Sequence, residues 1–214
     1  MPTSAYQNTV FIMDVVSRLE PQSILDVGSG FGRWGFLSRC HLAMGHSLVS
    51  NPDQGLRIEA IEVFKPNISP IYDAVYNKTY NKNALEVMPD LGKYDVIICG
   101  DMIEHLEKGN AWRLIKEMRQ HASGAVILTL PFGNCPQDEM YGNKHETHLS
   151  TWNKRDFLGK EYFVKRFLFK RNIIIGVVVI PLSMQAKWLI KTMRNPLRLF
   201  IQKRFYGILR KLHR

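Results

Sequence analysis

Residues 24–32 read Ile-Leu-Asp-Val-Gly-Ser-Gly-Phe-Gly, a short apolar run that breaks into three glycines spaced two apart. The apolar run, beginning at Ser23 and ending at Val27, has the length and composition of a buried strand. The glycines allow a tight turn and close approach of the backbone to a ligand. Apolar residues resume at helical spacing from Trp34 to Leu42, so the stretch reads strand, turn, helix. An acidic residue, Asp26, stands two positions before the first glycine. A carboxylate beside the turn would repel a pyrophosphate but suits a ligand with a cationic end.

Outward from this point the same alternation repeats. Upstream, residues 9–19 carry a helical apolar spacing that ends before Pro21. Downstream, strands are predicted at 57–63, at 74–80 (weakly), at 94–99 and at 125–130, the last ended by Pro131. Helices are predicted to begin within 67–72 and to cover 104–121. Residues 41–55 read as a loop insertion. Two further strand-like runs, 162–170 and 173–180, are separated only by Arg171-Asn172, a link that suits a hairpin. The expected fold is α/β: a doubly wound, mostly parallel, seven-stranded sheet ending in an antiparallel hairpin.

The chain has 214 residues and a formal net charge of +10, but the charge is unevenly placed. Residues 184–214 hold nine Lys/Arg and no Asp or Glu, which leaves 20 basic against 19 acidic residues in the rest. The expected organisation is therefore one domain over 1–183 and a basic amphipathic helical tail over 184–214. A nearly neutral body argues against a body-wide nucleic-acid surface. From Lys187 to Arg214, aromatic and aliphatic residues interleave with cations, which suits an anionic membrane surface. No segment reads as a signal peptide, and the longest apolar run is too short to span a bilayer. The expectation is a cytoplasmic protein, peripheral on the inner face of the membrane if the tail binds there. Cys40, Cys99 and Cys135 are odd in number and far apart, which suggests neither disulfides nor a thiolate metal site.

Asp26-Val-Gly28-Ser29-Gly30-Phe-Gly32 resembles motif I of class I S-adenosylmethionine-dependent methyltransferases. The resemblance extends over roughly residues 24–180. It implies that the backbone of Gly28, Ser29, Gly30 and Gly32 lies against the methionine part of S-adenosylmethionine, with Asp26 close by. Glu62, at the end of the second strand, is placed to accept hydrogen bonds from both ribose hydroxyls. Asn83-Ala84 is similar to the Asp-Ala pair that reads the adenine amino group in this family. A nicotinamide-binding turn is the competing reading of the glycines, and its usual third spacing is one residue longer.

The fourth strand runs into Asp101-Met-Ile-Glu104-His105-Leu-Glu. In doubly wound sheets the C-terminal strand ends carry the site, so Asp101, Glu104 and His105 belong beside the transferable methyl group. The segment is similar to one in ubiquinone-pathway and small-RNA 2′-O-methyltransferases, where it helps hold a divalent metal. Asp101 is shorter than the glutamate found there, and a metal at Glu104, His105 and His148 is the less favoured reading. His148, within a His145…His148…Trp152 cluster after the fifth strand, joins Asp101, Glu104 and His105 as a candidate catalytic residue; His145 reads as solvent-exposed. Either His105 or His148 would serve as a general base toward a hydroxyl. The leading expectation is O-methylation of a small-molecule, sugar or lipid-linked acceptor. Metal-assisted methylation of RNA, with the tail gripping the nucleic acid, and a cofactor-binding module without catalysis are the alternatives.

Overall fold

The computed structural model describes residues 5–43, 55–158, 161–170 and 173–194. The expected insertion between 41 and 55 lies mostly outside these residues, as do the Arg171-Asn172 link and the part of the basic tail beyond 194. Seven strands form one sheet: β1 (Ser23–Val27), β2 (Arg57–Ile61), β3 (Lys78–Tyr80), β4 (Tyr94–Gly100), β5 (Ala122–Phe132), β6 (Phe163–Lys170) and β7 (Ile173–Pro181). Their spatial order is β3-β2-β1-β4-β5-β7-β6. The first five pair in parallel, and β7 joins β5 and β6 antiparallel. The order reverses beside β1, so β1 and β4 diverge into helices on opposite faces and leave a crevice above their C-terminal ends.

Strand alternation sorts the core into two layers. Leu25, Val27, Ile97, Cys99, Val126, Leu128, Val178 and Ile180 face one layer, closed by α4 (Ala84–Val87) and α5 (Lys108–His121). Ile24, Ile58, Val96, Ile98, Ile127, Val177 and Val179 face the other, closed by α1 (Thr9–Leu19), α2 (Arg33–Ala43), α3 (Ile71–Val75) and α6 (Met184–Arg194). Helix α5 buries Ala111, Leu114, Ile115 and Met118, a spacing of three, one and three that keeps them on one stripe. Each such Leu, Ile or Met contributes roughly 1.5–3 kcal/mol by leaving water. The outer strand β6 carries Lys165 and Arg166, charges that discourage edge-to-edge pairing.

Three expectations about elements need correction. The helix placed over 104–121 starts only at Lys108; Ile103–His105 is a separate 3-10 turn. Asp101 adopts a left-handed conformation (φ 48°), which bends the chain across the strand end before a helix can begin. Pro131 does not end β5, which runs on to Phe132. Pairing with β4 stops at Gly100↔Thr129, so beyond that point β5 is an edge on that side and tolerates a residue without an N–H. The third strand, read over 74–80, is confined to Lys78–Tyr80, because the helix that begins at Ile71, within the expected 67–72, runs on to Val75.

Helix α6 covers the first residues of the expected tail. Its Ala186, Leu189 and Ile190 are buried in the second layer, while Trp188 on the same helix is half exposed. Among the described residues no helix is long and apolar enough to cross a membrane.

Candidate active site

The glycine turn is held from below by β2. The Gly28 and Ser29 amides both donate to the carbonyl of Ile61, at 2.9 and 3.2 Å. Gly28, Gly30 and Gly32 all have positive φ, at 68°, 57° and 83°, the region that L side chains rarely adopt. At Gly28 the need is steric as well: a Cβ would lie 2.5 Å from Cγ of Met102. The turn is therefore clamped between the end of β2 and the loop after β4.

Glu62 completes the clamp. Its Oε2 accepts from the Gly30 amide at 2.8 Å and its Oε1 from the Phe64 amide at 2.8 Å. Its carboxylate is also hydrogen-bonded by the Asn67 side chain and the Val63 amide, which fix it at the cavity wall. Burial raises its pKa, opposed by these amides. Two residues that sequence reasoning missed support the turn from the opposite side. The Tyr72 hydroxyl donates to the Gly30 carbonyl and lies 2.9 Å from the Ser29 hydroxyl. The Tyr76 hydroxyl donates to Asp26 at 2.7 Å. They sit four apart on and just after α3, a spacing that could equally mark a core face, so nothing in the sequence singles them out.

Asp26 is placed differently from expectation. It is fully buried behind the turn, bound by Tyr76 and by the Gly35 amide in the first turn of α2 at 3.0 Å. It does not line the cavity in front of the turn. A carboxylate there satisfies an orphan amide at a helix N-terminus. Its second oxygen, Oδ1, has no partner. Burial pushes its pKa up to about 7 against the hydrogen bonds from Tyr76 and Gly35, with Glu62 adding to the rise. An acid whose folded pKa lies above its unfolded value destabilises the fold as it ionises. Its contribution is full below about pH 4 and lost as the pH rises toward about 7. The isosteric Asp26→Asn keeps both acceptor bonds without the charge. Urea unfolding of the cofactor-free protein should therefore show the variant gaining on wild type from pH 4 to pH 8; a constant difference would contradict this assignment.

One cavity of about 440 Å³ extends from the turn across the C-terminal ends of β1, β4 and β5. Gly28, Ser29, Gly30, Glu62 and Asn83 wall one end; Asp101, Glu104, His105 and His148 lie toward the other. Gly32, like Asp26, is not on the wall. Asn83 uses its Oδ1 to cap α4, accepting from the Leu85 amide at 2.9 Å. Asp101 accepts from the Thr129 hydroxyl at 2.9 Å.

His105 and His148 come together because the loop after β5 is tied to the loop after β4. The amides of Leu149 and Ser150 both donate to the Glu104 carbonyl, at 2.9 and 3.0 Å. Nδ1 of His105 faces the Thr147 carbonyl at 3.2 Å, and Nδ1 of His148 faces the Cys135 carbonyl. Each ring thus turns one nitrogen to a backbone carbonyl, and the His105 ring also meets the carbonyls of Asp101 and Glu146. The two rings meet edge to face, their centroids 4.8 Å apart. Burial and the neighbouring His148 push the pKa of His105 down to about 4. Glu104 is 1% exposed, and burial beside Asp101 raises its pKa well above the usual carboxylate range. Its Oε2 has no partner. Glu104, His105 and His148 each bring one donor atom within 4.8 Å of the others, a set able to hold a divalent cation. His145 is exposed, as its sequence context implies.

Trp152 lies in the core beneath this loop rather than on the cavity wall, against Trp112 and Phe157. Trp152→Ala is expected to lower unfolding free energy by about 3–5 kcal/mol in chemical denaturation, the range for deleting a buried large aromatic.

The sheet order, the glycine turn and the acid at the end of β2 define a Rossmann-like class I S-adenosylmethionine-dependent methyltransferase. A family model described as a methyltransferase domain matches residues 5–159, and the chain belongs to that family. No curated protein sequence matches it. Among solved structures it is similar to a putative O-methyltransferase from Nostoc punctiforme (TM-score 0.54, 14% identity, 81% of this chain and 56% of that one). It is also similar to magnesium protoporphyrin IX methyltransferase from Synechocystis with bound S-adenosylmethionine (0.51, 14%, 80% and 76%). A third similar structure is an O-methyltransferase family protein from Burkholderia thailandensis (0.50, 13%, 79% and 55%). The chain thus spans between about half and three quarters of the length of these proteins. The site fits the cofactor: Gly28 and Gly30 bring bare backbone to the cavity wall for close approach, and the Glu62 carboxylate lies beside them.

Proposed function

We propose that the enzyme transfers a methyl group from S-adenosylmethionine to an oxygen of a small-molecule, sugar or lipid-linked acceptor. The observation that carries this reading is the single cavity joining the Gly28–Gly30 turn and Glu62 to the His105–His148 pair. S-adenosylmethionine, when bound, would supply a methyl group on a sulfonium, whose sulfur departs as a neutral thioether. The backbone of Gly28, Ser29 and Gly30 and the Glu62 carboxylate hold it, with Asn83 and Asp101 further along the wall. Methyl transfer needs donor and acceptor in line more than it needs acid–base chemistry, so positioning is the main task of the cavity. A hydroxyl acceptor also has a proton to lose, and the imidazole of His105 or His148 takes it.

A second reading is favoured by one observation, the convergence of Glu104, His105 and His148. There these residues hold a divalent cation that orients the acceptor hydroxyl and lowers its pKa. The full-length protein is expected to shift upward in melting temperature with S-adenosylmethionine and with its demethylated product. Methylation of a panel of hydroxyl acceptors, followed with labelled S-adenosylmethionine, should survive a chelator. Activity lost on chelation and restored by one divalent metal would establish the second reading instead; no transfer to any oxygen acceptor would sink the first. The stretch from Lys187 to Arg214 is proposed to rest on an anionic membrane surface, supported by Trp188 exposed between Lys187 and Lys191. Co-sedimentation with anionic vesicles but not neutral ones is the expected result.

A further inference from the structure

Part of the cavity wall is apolar. Because β7 returns antiparallel to β5, its first residues stand at the same sheet edge as the strand ends that carry the site. Ile175 pairs with Pro131 and Ile174 with Phe132. Ile173, Ile175 and Pro131 line the cavity there, together with Phe169 from the end of β6, Trp34 at the start of α2, and Ala5. The N-terminal turn is tied to this wall by the Gln7 side-chain amide, which donates to the Phe169 carbonyl at 3.3 Å. Arg33 also lines the cavity; it donates to the Thr9 hydroxyl and lies near Asp101.

We propose that the acceptor is amphiphilic: its reacting hydroxyl sits at His105 and His148, and an aliphatic or aryl arm lies along Phe169, Ile173, Ile175 and Pro131. This rests on the methyltransferase reading and narrows its acceptor class. A sugar carries hydroxyls on every side, and those turned toward this wall would give up water without gaining a partner. A hydrocarbon arm gains from the same wall with each carbon it buries. Gln137, Asn143 and Glu146 also line the cavity and serve the polar half of the acceptor.

The test is titration of the full chain with 4-alkylphenols of one to six alkyl carbons, with and without S-adenosylhomocysteine. The dissociation constant is expected to fall about fourfold for each added methylene, which corresponds to about 0.8 kcal/mol of apolar transfer. Ile173→Asn and Phe169→Asn should flatten that dependence. Leu168→Asn, at a 66% exposed position off the wall, should keep it. A flat series in wild type, or wall variants that keep the full gain, would overturn the proposal, as would tighter binding of methyl glycosides than of the longest phenol. Failure of S-adenosylhomocysteine to bind would strike the methyltransferase reading instead, since the arm dependence is read in its absence too.

Discussion

Gly28→Val is expected to weaken S-adenosylmethionine binding at least a hundredfold by titration calorimetry, with the far-ultraviolet circular dichroism of a folded protein retained. Two effects combine. A β-branched residue at φ 68° is strained whatever the space around it. The added Cβ also falls 2.5 Å from Cγ and 2.9 Å from Cβ of Met102, atoms close to the backbone that cannot simply swing aside. Relief requires the loop after β4 to move, and that loop carries Asp101, Glu104 and His105. The substitution therefore disturbs both ends of the cavity at once. A folded variant that binds within threefold of wild type would show that the turn does not approach the cofactor.

Replacing both histidines (His105→Ala with His148→Ala) is expected to lower kcat by a factor on the order of 10²–10⁴, the usual contribution of a positioned proton acceptor. S-adenosylmethionine affinity should change little, because both rings lie beyond the Glu62 end of the cavity. The single variants separate the roles: the ring whose removal costs as much as the double change is the proton acceptor, since groups acting as a unit are not additive. A double variant with undiminished kcat would remove the histidines from the chemistry and leave positioning alone.

Much of this was legible in the residues. The apolar run before Gly28 reads as a buried strand, and the alternation of strands and helices with a two-residue link before the last gives a mostly parallel seven-stranded sheet with an antiparallel hairpin, though not the insertion of β7 between β5 and β6. Glu62 was singled out by its place at a strand end, and its carboxylate accepts from the Gly30 amide of the turn. Other features depend on contacts that sequence cannot show. The start of α5 was misplaced because the apolar spacing runs on through Glu104 while a left-handed Asp101 redirects the backbone. Asp26 was read as a cofactor contact from its type and spacing, yet the chain turns it inward against α2. Tyr72 and Tyr76 act through hydroxyls whose partners lie more than forty positions away. The closeness of His105 and His148 rests on two backbone amides meeting the Glu104 carbonyl, an interaction indifferent to side-chain identity.

Titration of the full-length protein with S-adenosylmethionine, set beside Glu62→Ala, tests the central assignment most directly. Saturable one-to-one binding with a dissociation constant between about 1 μM and 1 mM is expected, and at least tenfold weaker binding in the variant. No heat and no thermal stabilisation at millimolar cofactor, or equal affinity in the two proteins, would contradict it.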